Sequence, residues 1–150
     1  MKQIRRQIIF FLFSLFFVVI PISATDVTEC MVINSSGSYQ LINDITNSDS
    51  NICIDITDAP NVVFDGNGHT IQGKFSQGSI AIRIFSQHVT IKNTKLRDWD
   101  TGIRSEEKYN TIESNDASNL VTGVIIRGQY GEVKDNTFNN NDKIGISVEA

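Results

Sequence analysis

Beyond residue 25, apolar and polar side chains alternate in short runs, of which Val89-Thr90-Ile91 is typical. A two-residue period predicts β-strands, because successive side chains of a strand point to opposite faces, whereas a helix repeats every 3.6 residues. No window after residue 25 shows a convincing helical period. The short runs are separated by Asn, Gly and Asp, which are common in turns. The pattern therefore predicts an all-β chain built from many short strands.

The runs recur about every 21 residues. Three similar segments start at this spacing, and each is followed by a strand that carries a glycine: 88–96 with Gly102, 109–117 with Gly123, and 130–138 with Gly145. A looser copy covers 61–71, with its extra residues in turns. A repeat of this length predicts a stacked architecture. Leucine-rich repeats would need a dense leucine framework, which the chain does not have.

Each copy offers three short strands, enough for one triangular coil of a parallel β-helix whose coils lie about 4.8 Å apart. About four to five coils are expected. Alignment of the copies predicts three inward columns: Phe64, Ile91, Ile112 and Val133; Ile71, Leu96, Ala117 and Phe138; and Ile82, Ile103, Val124 and Ile146.

Two polar columns are expected at the turns. The first contains Asn67, Asn115 and Asn136, with Thr94 in the remaining copy. Asn tolerates the left-handed backbone conformation, and stacked amides can hydrogen-bond along the column. The second column contains Asp98, Asn119 and Asn140.

Residues 1–24 predict a signal peptide that precedes the fold. Three positive charges come before an apolar run over 8–20, and the segment ends on the small residue Ala24, which suits cleavage there. An uncleaved membrane anchor is the alternative, because 7–25 carries no charge and 19 residues can just span a bilayer. Either interpretation predicts export, to the medium or the cell surface.

The charge balance argues against nucleic acid as a partner. Removal of 1–24 takes three of the 13 basic residues and none of the 17 acidic ones, which leaves ten against 17 and a net charge of −7.

Cys30 and Cys53 both lie in the exported part, where a disulfide is favoured over a metal site. The two histidines, His69 and His88, have no metal-binding spacing. Asn34-Ser35-Ser36 is a candidate N-glycosylation sequon in a host that glycosylates exported proteins.

The pattern N-x-I-x-x-N-x-x-x-N-x-x-x-G-V, from Asn110 to Val124, resembles the right-handed β-helix repeats of pectate-lyase-like and NosD-like exported proteins. NVVFDGNGHTIQG, from residue 61, resembles the opening coil of that group, and residues 36–56 resemble its lead-in. The resemblance covers roughly 30–150. It is specific for the fold and weak for function, because the group holds lyases, hydrolases, adhesins, surface-layer proteins and maturation factors.

The resemblance implies three parts: 1–24 as signal peptide or anchor, 25–60 as N-terminal cap and lead-in strands, and 61–150 as coils. A Cys30–Cys53 bond would then tether the cap. The chain stops within a repeat, so the coils are expected to be incomplete at the C-terminus.

The resemblance also implies that ligands lie along one sheet, here built from 54–56 and the equivalent strands of later coils. Its outward column reads Asp55, Arg83, Arg104, Ile125 and Ser147. Two neighbouring arginines favour an anion between them. The loop that enters this sheet holds Asp98, Asp100 and the only tryptophan, Trp99, which could stack on a sugar ring.

Two interpretations of this set remain open. Asp55, Arg83, Arg104, Asp98, Trp99 and Asp100 form a candidate site for an acidic saccharide. Alternatively Asp55 pairs with Arg83, Asp98 is a turn residue and Trp99 covers the core edge. The structural interpretation is favoured.

Catalytic signatures are incomplete. Inverting hydrolases of this fold carry clustered Asp residues, a Gly-His-Gly and an Arg-x-Lys, none of which occurs here. A lyase needs several carboxylates around calcium plus a basic residue, and Asp98 and Asp100 with Arg104 are the nearest approach. We therefore expect no catalytic centre, no resident metal and no cofactor, with calcium relevant only to a lyase. The expected function is structural or carbohydrate-binding, toward carbohydrate or cell-envelope components, and the membrane is a partner only through 7–25 if that segment is retained. A polysaccharide lyase or glycoside hydrolase, or a fragment of one, is the alternative.

Overall fold

The computed structural model describes residues 23–149, which form sixteen short β-strands. In chain order they are β1 Thr25–Val27, β2 Met31–Ile33, β3 Gly37–Leu41, β4 Ile45–Ser48, β5 Ile52–Thr57, β6 Val62–Asp65, β7 Thr70–Gly73, β8 Ile80–Phe85, β9 Thr90–Lys92, β10 Lys95–Arg97, β11 Thr101–Ser105, β12 Thr111–Glu113, β13 Asp116–Ala117, β14 Thr122–Ile126, β15 Glu132–Lys134 and β16 Ile144–Val148. The predicted signal peptide falls almost wholly on residues 1–22, which lie outside the described range. Within 23–149 we find no helix long and apolar enough to cross a membrane.

The strands form three sheets in which every pairing is parallel. Sheet 1 has the order β1-β3-β6-β9-β12-β15, sheet 2 the order β13-β10-β7-β4, and sheet 3 the order β16-β14-β11-β8-β5-β2. The chain visits the three sheets in turn, so β3-β4-β5 is one coil, each of the next three groups of three strands is another, and β15 and β16 belong to a fifth. The prediction of an all-β parallel β-helix is confirmed, with about five coils.

The register confirms the predicted inward columns, although of their last members Val133 and Phe138 are only partly buried and Ile146 is 43% exposed. Ile91 of β9 pairs with Phe64 on one side and with Ile112 on the other. In sheet 3, Ile103 pairs with both Ile82 and Val124. These side chains are almost completely buried, and each contributes about 1.5–3 kcal/mol through removal from water. The inward residues of successive coils therefore form one continuous apolar core along the axis of the β-helix.

Sheet 1 carries a column of alternating charge on its outer face. Lys92 lies 3.3 Å from Asp65, and Lys134 lies 3.3 Å from Glu113. Burial raises the pKa of the Asp65 carboxyl, but hydrogen bonds from Asn93, the Asn67 amide and Lys92 outweigh it and hold that pKa below its ordinary value of 3.8.

One detail of the turns was predicted incorrectly. Of the first polar column, Asn67 alone has a left-handed backbone, with φ of 51°, and in the later coils the left-handed residue lies one position earlier, at Asn93, Ser114 and Asp135. The reason is that Asn115 and Asn136 direct their amides inward, where they bind backbone groups of the adjacent coil. The stacked amides themselves are confirmed: Asn115 Nδ2 donates to Asn136 Oδ1 at 3.1 Å. In the second polar column, Asp98, Asn119 and Asn140 all adopt positive φ.

Cys30 and Cys53 form the predicted disulfide, with their Cα atoms 4.4 Å apart. Cys30 directly precedes β2, and Cys53 lies in β5 beside it, because Met31 pairs with Ile54. The bond therefore fixes the lead-in strands to the first complete coil.

Candidate functional site

The outward column of sheet 3 has the expected register. Arg83 pairs with Asp55 on one neighbouring strand and with Arg104 on the other. Arg104 then pairs with Ile125, and Ile125 with Ser147. Because side chains at paired positions of parallel strands point the same way, the two arginines and Asp55 lie side by side on the outer face.

Arg83 and Asp55 form a bidentate ion pair. Arg83 Nε donates to Asp55 Oδ1 at 2.9 Å, and Nη2 donates to Oδ2 at 2.6 Å. These hydrogen bonds raise the pKa of the Arg83 guanidinium, against a smaller lowering from burial. The Asp55 side chain is 17% exposed and the Arg83 side chain 36% exposed, so the aspartate is mostly covered while part of the arginine stays in solvent.

Arg104 has a carboxylate of its own. Its Nε donates to Glu106, whose carboxylate also accepts from Arg127, and Arg127 Nε donates to Glu149 at 2.7 Å. The neighbouring arginines Arg83 and Arg104 are thus each neutralised within the protein. A bound anion is not needed to explain their proximity.

Asp98 and Asp100 lie at the corner between sheets 2 and 3. Asp98 Oδ2 accepts from Gln72 Nε2 at 2.7 Å, and Asp100 Oδ2 accepts from the Gly78 amide at 2.8 Å. Within residues 23–149 no ion pair joins either carboxylate to Arg83 or Arg104. The structure therefore brings together Asp55, Arg83 and Arg104, and places the two aspartates apart as corner residues.

The prediction that Trp99 offers a stacking surface is wrong. Its side chain is 1% exposed and packs in the core, where Nε1 donates to the Ile71 carbonyl at 3.1 Å. Gly73 makes this possible, since a Cβ there would lie 2.8 Å from the indole. A large ring with one polar atom is buried most favourably when that atom finds a partner, as here. The structural interpretation of Trp99, in which it covers the core edge, describes its position.

Exposed aromatic side chains lie instead at the corner between sheets 3 and 1. His88, Tyr109 and Tyr130 stack in parallel, with centroids 5.0 and 5.1 Å apart, and all three have positive φ. Phe85 lies nearby and is 52% exposed. The sequence analysis did not identify this corner. The alignment did contain it, because His88, Tyr109 and Tyr130 are the first residues of the three aligned repeats.

The remaining candidates have simple surroundings. Asn34 is exposed in the connection between β2 and β3, where a sequon is accessible. Among residues 23–149 no group of three or more His, Cys, Asp or Glu side chains is placed to hold a metal ion. The arginines on the outer face of sheet 3 can donate guanidinium hydrogen bonds.

Comparison with known proteins agrees with the fold. Residues 80–150 match the family described as the right-handed beta helix region. Neither a curated protein nor a solved structure matches the chain. The family match and the three parallel sheets show a right-handed parallel β-helix, consistent with the superfamily of that fold.

Proposed function

We propose that this chain is a non-catalytic β-helix module of an exported protein, with a structural or carbohydrate-binding role. The proposal rests on the pairing and exposure of the arginines and carboxylates on the outer face of sheet 3. The side chains of Asp55 and Glu106 are less than one fifth exposed and are paired with arginines, whereas the side chains of Arg83 and Arg104 are about one third exposed. On such a face the arginine N–H groups are available to a ligand, whereas the carboxylates that could act as a base are already hydrogen-bonded to arginines.

The two arginines retain donors for an acidic sugar. A guanidinium has five N–H donors, of which Arg83 uses two toward Asp55 and Arg104 uses one toward Glu106. A uronate carboxylate lying across the neighbouring strands can accept from both without displacing either internal partner. Guanidinium–carboxylate pairs of this kind favour bidentate recognition.

Export is supported by two independent features. Residues 1–24 have the charge and hydropathy pattern of a signal peptide, and a Cys30–Cys53 disulfide is typical of proteins in an oxidising compartment. The proposed location is therefore the medium or the cell surface, with a membrane attachment only if the apolar segment over 7–25 is retained.

Affinity electrophoresis in polygalacturonate tests the binding role. Substitution of both arginines, Arg83→Gln with Arg104→Gln, is expected to weaken binding at least about tenfold, since each hydrogen bond to a charged group contributes about 1.5–3 kcal/mol net of solvent competition. The matched control is Lys92→Gln with Lys134→Gln, which removes two equally exposed charges from sheet 1 and should leave binding nearly unchanged. Equal losses in the two variants would indicate nonspecific charge attraction. Wild-type protein that is not retarded would refute the acidic-saccharide role.

A further inference from the structure

Phe85 interrupts a polar column at the end of sheet 3. It pairs with Thr57 of the preceding coil, and Glu106 and Arg127 follow at the equivalent place in the next two coils. The other three members are polar, yet the Phe85 ring is 52% exposed. One ring among polar neighbours, at the end of a rigid strand, offers a flat apolar surface with a fixed position.

The ring borders a shallow groove of about 400 Å³. Its walls include Asp58, Pro60, Gln87, His88 and Glu107. This volume lies in the range of small-ligand sites, and the combination of an apolar surface with a few polar groups is typical of them. Gln87 and His88 are exposed, so both can contribute hydrogen bonds.

Two unpaired carboxylates flank the ring. Asp58 lies one coil before the Phe85 coil and Glu107 one coil after, so their backbones are separated by two strand spacings, roughly 9–10 Å. Among residues 23–149 neither carboxylate has a hydrogen-bond or ion-pair partner, in contrast to Asp55 and Glu106 on the outer face of sheet 3.

The backbone around these carboxylates is fixed. The Ala59 amide donates to the buried Ser86 hydroxyl at 2.9 Å, and Asn110 Nδ2 donates to the Glu107 carbonyl at 2.9 Å. One hydrogen bond between coils and one within the turn therefore fix the backbone on the two sides of the groove, while its carboxylates stay free to meet a ligand.

We propose that this groove, formed by Asp58, Phe85 and Glu107, binds a neutral pyranose. The apolar face of the sugar stacks on Phe85, and its hydroxyl groups donate to the carboxylates on either side. Two negative charges at this spacing repel a uronate, so the sugar is uncharged. The inference rests on the proposed carbohydrate-binding role, but it assigns a second subsite with different chemistry from the arginine face.

Titration calorimetry with soluble neutral β-glucan and β-galactan oligosaccharides tests the proposal. Phe85→Ala is expected to weaken binding at least about tenfold, and Asp58→Asn with Glu107→Gln by a similar factor. The matched control is Phe75→Ala, which removes a ring that is 61% exposed in the connection between β7 and β8. It should leave binding unchanged. All of these side chains are exposed or half-buried, so circular dichroism should show folded variants.

The outcomes separate the two proposals. The groove proposal is refuted if the wild type does not bind neutral oligosaccharides, or if the Phe85 and Phe75 variants bind them with equal affinity. If polygalacturonate is still bound through Arg83 and Arg104, the proposal for the arginine face is retained and only the groove proposal is refuted. If neither glycan is bound, both proposals fail.

Discussion

Replacement of Asn115 by alanine should be among the most destabilising changes of a single polar side chain in this protein. Asn115 is 2% exposed, and its amide serves three neighbours: Oδ1 accepts from the Thr94 amide at 3.0 Å, and Nδ2 donates to the Ile91 carbonyl at 3.0 Å and to Asn136. Alanine leaves the Thr94 amide without an acceptor and removes one hydrogen bond from the Ile91 carbonyl. An unpartnered buried group costs about 1–3 kcal/mol and a lost hydrogen bond about 0.5–1.5 kcal/mol, so we expect a loss of about 1.5–4.5 kcal/mol. Domains of this size are stable by only about 5–15 kcal/mol.

Urea unfolding followed by circular dichroism measures this loss as a shift of the midpoint at unchanged slope. Asn139→Ala is the matched control, because the Asn139 side chain is exposed and makes no hydrogen bond among residues 23–149; its effect should stay within about 0.5 kcal/mol. Asn136→Ala should fall between the two, since Asn136 is half-buried. A loss below about 1 kcal/mol for Asn115→Ala would refute the claim that the amide column holds adjacent coils together.

Three further predictions concern stability. Cys30→Ser with Cys53→Ser should cost about 3–4 kcal/mol in urea unfolding, the loop entropy for a sequence separation of 23, and alkylation of the denatured, unreduced wild type at both cysteines would contradict the disulfide. Gly73→Ala should cost about 1–3 kcal/mol, because its Cβ would lie 2.8 Å from both a backbone oxygen and the Trp99 ring, and an unchanged thermal midpoint would show that the ring yields freely. The lowered pKa of Asp65 gives stability that is complete above its unfolded value of 3.8 and is lost as pH falls through the folded pKa; Asp65→Asn should remove part of the acid sensitivity in unfolding measured between about pH 5 and pH 2.

The fold could be predicted from the sequence because every coil requires apolar side chains at the same inward positions. An inward position needs an apolar side chain whatever its neighbours are, so Ile91 and Ile112 stand at equal places in their repeats and pair in the structure. The polar columns follow from the same periodicity. The left-handed positions were assigned one residue too far along, because composition does not show whether an Asn amide serves its own turn or the adjacent coil.

The candidate site was less predictable, since it depends on which outward side chains pair with each other. The bidentate contact between Arg83 and Asp55 follows from the register, but the role of Glu106 beside Arg104 does not, because it lies just beyond the strand. Trp99 does lie in a connection, between β10 and β11, but the space left by Gly73 on the preceding coil admits its ring to the core. Such a contact joins residues 26 positions apart and has no local signal.

Whether this β-helix contacts glycans without cleaving them, as we propose, is tested by measuring the release of unsaturated uronides from polygalacturonate in the presence of calcium. We expect no release above the buffer rate, and no difference between the wild type and a variant with alanine at Asp98, Asp100 and Arg104. Turnover by the wild type that this triple substitution reduces by orders of magnitude would show that the protein is a polysaccharide lyase.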